Sequence, residues 1–163
     1  LPVETEILAA LDSVDIRPCV TVPCKLLAPL IRALEMVPER ELMYVAREEE
    51  GLGICAGAYL AGCFPILICQ NSGLGNLVNA YCSLNQFFDV PVFFLISHRG
   101  TEGERVAAQR PMGRITPALL DIMGVEHFTL ANPEQATEIR GHLEAYRTAR
   151  RSRALLLPHS FWR

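Results

Sequence analysis

The chain has 163 residues, of which 50% are hydrophobic and 20% charged, and carries a net charge of −3. That suits one compact domain with a full apolar core and some apolar surface left for a partner. The charge balance excludes a general attraction to nucleic acid or anionic lipid, and with Lys25 the single lysine among 15 basic residues there is no basic stripe.

Residues 3–13 read as a helix with Ile7, Leu8 and Leu11 on one face. Glu4 and Glu6 stand where a signal peptide would carry basic residues. Segment 17–22 reads as a strand ended by Pro23, and 24–36 as a helix in which Pro29 marks a late start or a kink. A short strand at 43–45 leads into a Glu-Gly-Ala helix at 49–62, then an apolar strand at 65–69. The uncharged run 52–69 approaches membrane-spanning length, but Pro65 and several glycines divide it into a helix and a strand. A helix at 74–87, a continuous apolar strand at 91–97 and a polar connection at 98–113 follow, the last with the length of a mobile lid. Helix 114–123, strand 125–130, helix 133–149 and strand 154–157 complete the pattern. Asn132 before Pro133 is a cap with proline at the first helical position.

Apolar strands alternating with helices predict an α/β fold: a doubly wound, mostly parallel sheet with helices on both faces. No internal repeat or second-domain boundary is visible, so residues 1–163 read as a single domain. Among the six cysteines, Cys55, Cys63, Cys69 and Cys82 lie in apolar runs, while Cys19 and Cys24 flank a short strand. Without CxxC or zinc-type spacing, they are expected to be free thiols in a reducing cytoplasm, with no metal site of their own.

Ligands of such sheets bind beyond the carboxyl ends of the strands. Three unusual segments fall there: 46–51, 70–76 and 98–113. The first holds Glu48, Glu49 and Glu50 at the edge of a run with no other charge until Asp89. These acids either serve the positive end of a helix or one of them is a poorly hydrated acid with a raised pKa. The ladder Gly53, Gly57, Ala61 allows tight approach along one helix face, for a ligand or another helix. The second segment, Gln70-Asn71-Ser72-Gly73-Leu74-Gly75-Asn76, is either a capped turn or a polar cradle; it is neither GxGxxG nor a Walker loop. The third carries His98, Arg99, Arg105, Gln109, Arg110 and Arg114, whose arginines suit oxyanions. His127, His142 and His159 are expected to lie away from these segments.

Taken together, Val-Pro-Cys near the start, the Glu-Glu-Glu-Gly-Leu-Gly-Ile-Cys-Ala-Gly-Ala-Tyr-Leu-Ala-Gly block, Gln-Asn-Ser-Gly-Leu-Gly-Asn, Ser-His-Arg-Gly and Gln-Arg-Pro-Met-Gly-Arg carry a resemblance over residues 3–157. The chain resembles the pyrimidine-binding domain of thiamine-diphosphate-dependent 2-oxoacid decarboxylases, and among them the sulfopyruvate decarboxylase alpha subunits, with phosphonopyruvate decarboxylase a near relative. The resemblance implies a glutamate that hydrogen-bonds N1′ of the aminopyrimidine and promotes the imino form that deprotonates C2. Counting ten positions back from Tyr59, as the family pattern has it, selects Glu49. Cofactor contacts from Asn71, Ser72, Gly73, Leu74 and Gly75 are likewise implied.

The family's Gly-Asp-Gly…Asn segment, which binds the diphosphate and Mg2+, is missing. A beta subunit bearing that domain is therefore expected as partner, within a hetero-oligomer that keeps homodimeric contacts. The implied reaction converts 3-sulfopyruvate to sulfoacetaldehyde and CO2, on the route to coenzyme M. Substrate contacts are expected from Arg99 or Arg110, with His98 or Gln109 nearby. Relatives acting on phosphonopyruvate often have His where Arg110 stands, which favours anion recognition over a histidine relay. A phosphonopyruvate decarboxylase subunit and a non-catalytic assembly or regulatory module are the other readings.

Overall fold

The computed structural model describes residues 2–163. Twelve principal elements alternate: α1 (Val3–Val14), β1 (Cys19–Thr21), α2 (Ala28–Glu35), β2 (Met43–Tyr44), α3 (Glu48–Leu60), β3 (Ile66–Gln70), α4 (Leu74–Ala80), β4 (Phe93–His98), α5 (Arg110–Ile122), β5 (Glu126–Thr129), α6 (Ile139–Ala149) and β6 (Arg153–Pro158). The strands form one six-stranded sheet in the order β2-β1-β3-β4-β6-β5. Every neighbouring pair is parallel. The doubly wound expectation therefore holds.

Side-chain alternation divides the core into two layers. Ile66 and Ile68, Phe93 and Leu95, and Leu155 and Leu157 pack with Leu11 of α1, Leu30 and Leu34 of α2, and Leu143 and Tyr146 of α6. Leu67 and Cys69, Phe94 and Ile96, and Ala154 and Leu156 pack with Leu52 of α3, Leu77 of α4 and Leu120 of α5. Both faces of the central strands are covered, which is why they read as continuous apolar runs.

Prolines account for most boundary differences. Helix α2 begins at Ala28 with Pro29 in its first turn, so Pro29 marks a late start and not a kink. Helix α5 begins at Arg110, four residues earlier than the pattern suggests, because Pro111 also suits a first turn. Helix α4 continues as a π turn over Tyr81–Gln86. Asn132 accepts from the Gln135 amide as expected, but Pro133–Glu138 winds as a 3₁₀ segment before α6. All six cysteines are free. Burial pushes the Cys19 thiol up to about 12 and those of Cys55 and Cys69 further, so these thiols stay protonated. No helix among the described residues is long and apolar enough to cross a membrane.

Candidate active site

The segments after β2, β3 and β4 meet at the carboxyl edge of the sheet. Helix α3 starts at Glu48 because Arg47 is extended (φ −143°, ψ 148°) and three carboxylates occupy the first turn, facing the positive end of the helix. Those acids have three different environments. Glu50 is exposed and accepts from the Ala46 amide at 3.0 Å, closing the turn in the manner of a capping box. Glu48 is buried between α3 and α4 and accepts from Asn76 Nδ2 at 3.4 Å. It lies so close to Gly73 that a Cβ there would sit 2.2 Å from the Glu48 carboxyl carbon.

Glu49 stands between these extremes, with its side chain 29% exposed. Arg47 Nε donates to its Oε1 at 2.5 Å, while Oε2 is buried with no hydrogen-bond partner. The expectation of a raised pKa is corrected in the isolated chain. The hydrogen bond from its own backbone amide at the helix start, aided by Arg47, holds the Glu49 carboxyl below its ordinary value against the opposing effect of burial. A carboxylate with one oxygen paired and the other dry and unpartnered is a ready acceptor for a donor brought by a ligand.

Residues 71–75 behave individually. The Asn71 side chain is fully buried and internally engaged: its Nδ2 donates to the Arg99 carbonyl (3.1 Å) and Thr116 Oγ1 (2.9 Å), and its Oδ1 accepts from the Arg99 amide (2.9 Å). This amide laces β3, β4 and α5 together and presents nothing to a ligand. Leu74 faces the core, and Gly73 faces Glu48. Only Ser72 and Gly75 of the five are exposed. Gln70 Nε2 donates to Ser72 Oγ (2.6 Å) and to Gln109 Oε1 (3.3 Å), bridging the second and third segments.

The third segment is not the mobile lid its length suggests. Buried Glu104 accepts from Arg99 Nε (2.6 Å) and Nη2 (2.8 Å), from the Gly100 and Val106 amides (3.2 and 2.9 Å), and pairs with His159 Nε2 (3.1 Å). The Arg99 guanidinium holds the Glu104 carboxyl far below the usual carboxylate range, and Glu104 raises Arg99 in turn. Arg99 is therefore committed to the loop. His159, expected elsewhere, is part of the same cluster because β6 runs beside β4 and delivers it there. Gly113 brings the start of α5 against the β4 turn; a Cβ on it would lie 2.6 Å from the Arg99 carbonyl oxygen. His98 is buried, with Nε2 at 2.9 Å from the Gly113 carbonyl. Burial holds its pKa below the ordinary value. Gln109 is half-buried, and Arg110 is exposed in the first turn of α5 with no ion pair among the described residues.

Glu48, Glu104, Thr116 and His159 thus belong to the framework of the site, and no spacing in the sequence singles them out. Among the described residues no cluster of three or more His, Cys, Asp or Glu is placed to hold a metal ion.

No protein-family model matches the sequence. The chain is 40% identical over 156 residues to the sulfopyruvate decarboxylase subunit alpha of Methanothermobacter thermautotrophicus, covering 94% of each chain. It is 33% identical to phosphonopyruvate decarboxylase of Streptomyces viridochromogenes over 96% of this chain but only 38% of that protein. In fold it matches a chain of 2-oxoglutarate:ferredoxin oxidoreductase from Magnetococcus marinus, with a TM-score of 0.77 and 11% identity over 98% of this chain and 29% of that one. With so much identity along nearly the whole of both sequences, the chain belongs to the sulfopyruvate decarboxylase alpha-subunit family.

Proposed function

We propose that this chain is the alpha subunit of a thiamine-diphosphate-dependent decarboxylase that converts 3-sulfopyruvate to sulfoacetaldehyde and CO2. The observation that carries the reading is the 40% identity to an alpha subunit of that name across 94% of both chains. The dry, unpartnered Oε2 of Glu49 fits the cofactor's aminopyrimidine, whose ring nitrogen accepts a hydrogen bond from it when Glu49 carries the proton and donates one when the ring does. When bound, thiamine diphosphate supplies the sink for the electrons released with CO2.

The chain's own residues supply alignment and proton control. Glu49 holds or exchanges a proton at its free oxygen, steadied by the Arg47 pair at Oε1. Exposed Ser72 and Gly75 are assigned to cofactor contact, while Asn71, Gly73 and Leu74 hold that turn from beneath. Gln109 and Arg110 face the substrate; Arg99 and His98 hold the loop that carries them.

We assign the diphosphate and Mg2+ to a beta subunit, a reading supported by the name of the Methanothermobacter relative, a subunit alpha. Gly53, Gly57 and Ala61 are exposed, and a Cβ on either glycine meets nothing within 4 Å. That outward ladder suits close approach by a second polypeptide. Docking there removes water from Glu49 and raises its pKa toward the range useful for proton exchange. The free thiols fit a reducing cytoplasm.

The test is co-expression with a chain bearing Gly-Asp-Gly…Asn, followed by CO2 release from 3-sulfopyruvate and phosphonopyruvate with and without thiamine diphosphate. Cofactor-dependent release favouring 3-sulfopyruvate is expected. Glu49→Gln should still bind cofactor while kcat falls on the order of 10²–10⁴-fold, the range for a proton-transfer group. Wild-type turnover in that variant refutes the assignment of Glu49.

A further inference from the structure

An acid substrate with an anionic tail needs a cation that no carboxylate already holds. Arg99 does not qualify, since Glu104 takes both its Nε and Nη2. A cavity of about 390 Å3 lies at the same carboxyl edge, between the β1 exit, α2 and the end of β2, and Cys24, Lys25, Ile31, Arg32, Glu35 and Tyr44 line it. Lys25 is the only lysine in the chain. Among the described residues neither Lys25 nor Arg32 forms an ion pair. The one acid in the lining, Glu35, accepts the Tyr44 hydroxyl. The lining thus carries one net positive charge, a match for a sulfonate, which carries one negative charge.

Topology places one wall of this cavity, the loop leaving β1, at the rim of the expected ligand crevice. The chain passes from β1 to β2 on one side and from β2 across to β3 on the other, so the strand order reverses at β1. In doubly wound sheets the ligand crevice opens at such a reversal, here between β1 and β3, and the loop bearing Lys25 borders it. Lys25 follows β1 by four residues, and its neighbour Cys24 reaches across the edge to Ser97 of β4, Sγ to Oγ 3.1 Å. The loop that bears Lys25 is thereby fastened beside the residue that precedes His98. The walls formed by Pro23, Ala28 and Ile31 are apolar, which strengthens a charge–charge contact relative to open water.

We propose that this cavity is the subsite for the anionic tail of the substrate and that Lys25 selects a 2-oxoacid bearing a sulfonate. The proposal rests on the decarboxylase reading. It is tested in the reconstituted enzyme with thiamine diphosphate, using 3-sulfopyruvate as the probe. Lys25→Met should raise KM by about 10- to 100-fold, the worth of one hydrogen bond to a charged group, with kcat within about twofold. Lys25→Arg should recover most of the loss. Because the Lys25 side chain is exposed, both variants should keep the wild-type melting temperature. An unchanged KM in Lys25→Met, or a fall in kcat alone, overturns the proposal. A large rise in KM in Arg110→Gln with none in Lys25→Met also overturns it, by moving the anion to α5. Failure of the decarboxylase reading shows separately, as a wild-type pair that releases no CO2 before any variant is made.

Discussion

His98 donates from Nε2 to the carbonyl of Gly113, 2.9 Å away. That carbonyl has no intrahelical donor, because the residue four positions on is Pro117, which lacks an N–H. A carbonyl only accepts, so the proton sits on Nε2, and Nδ1 is left buried and unpartnered. The helix defect and the ring orientation are thus one feature, and together they anchor the end of β4 to the start of α5.

Pro117→Ala restores a backbone donor that competes for the Gly113 carbonyl. Nitrogen-15 NMR of His98 should show a single Nε2–H tautomer in the wild type and a mixture in the variant, while the helix itself becomes more stable. The sign of the pH effect follows from the lowered His98 pKa, whose main cause is burial. Between the folded value and the ordinary 6.5 the unfolded chain binds more protons, so stability falls as pH drops through that window.

Gly73→Ala forces a Cβ onto the Glu48 carboxyl group, at a separation of 2.2 Å if nothing moves. A loss of about 1–3 kcal/mol is expected by urea denaturation, the usual cost of overpacking. Glu48→Ala made in the same chain should recover part of it, giving a coupling above about 1 kcal/mol in a double-mutant cycle. Strict additivity would mean that Glu48 does not set the need for glycine at position 73.

Glu104→Gln removes the charge, and replaces with a donor one of the two acceptor oxygens, that gather Arg99, two amides and His159. Stripping one member from a buried pair costs about 3 kcal/mol at neutral pH. The Glu104 pKa is depressed from an ordinary 4.5, so its stabilisation is fully present above that value and fades as pH falls toward the folded pKa. Wild type and variant should therefore differ by a constant amount from pH 7 down to about 5 and converge in stronger acid. A gap that does not change with pH argues against ionised Glu104 as the source.

The Glu49 carboxyl should titrate below its ordinary 4.5 in the isolated chain, as its backbone amide bond and Arg47 require. Carbon-13 NMR of labelled glutamate reads this directly. Formation of the complex with a beta subunit should move it upward as water is displaced. An unmoved value places Glu49 outside the shared crevice.

The layers of this molecule were legible in its residues. Apolar runs at 65–69 and 91–97, separated by helical periodicity, require a parallel sheet covered on both faces, because such strands have no polar side to offer water. Pro29 and the Asn132 cap marked their local boundaries for equally local reasons. Motif order located the acids at the carboxyl edge. Only the folded chain decided that Glu48 is the buried acid, that the Asn71 side chain bonds Thr116, and that Arg99 pairs with Glu104. Asn71 and Thr116 are 45 residues apart, and Glu104 and His159 are 55 apart. Periodicity and capping act over a few neighbouring residues, whereas such polar partners are chosen by which crossovers bring strand ends together, and that choice exists only in three dimensions.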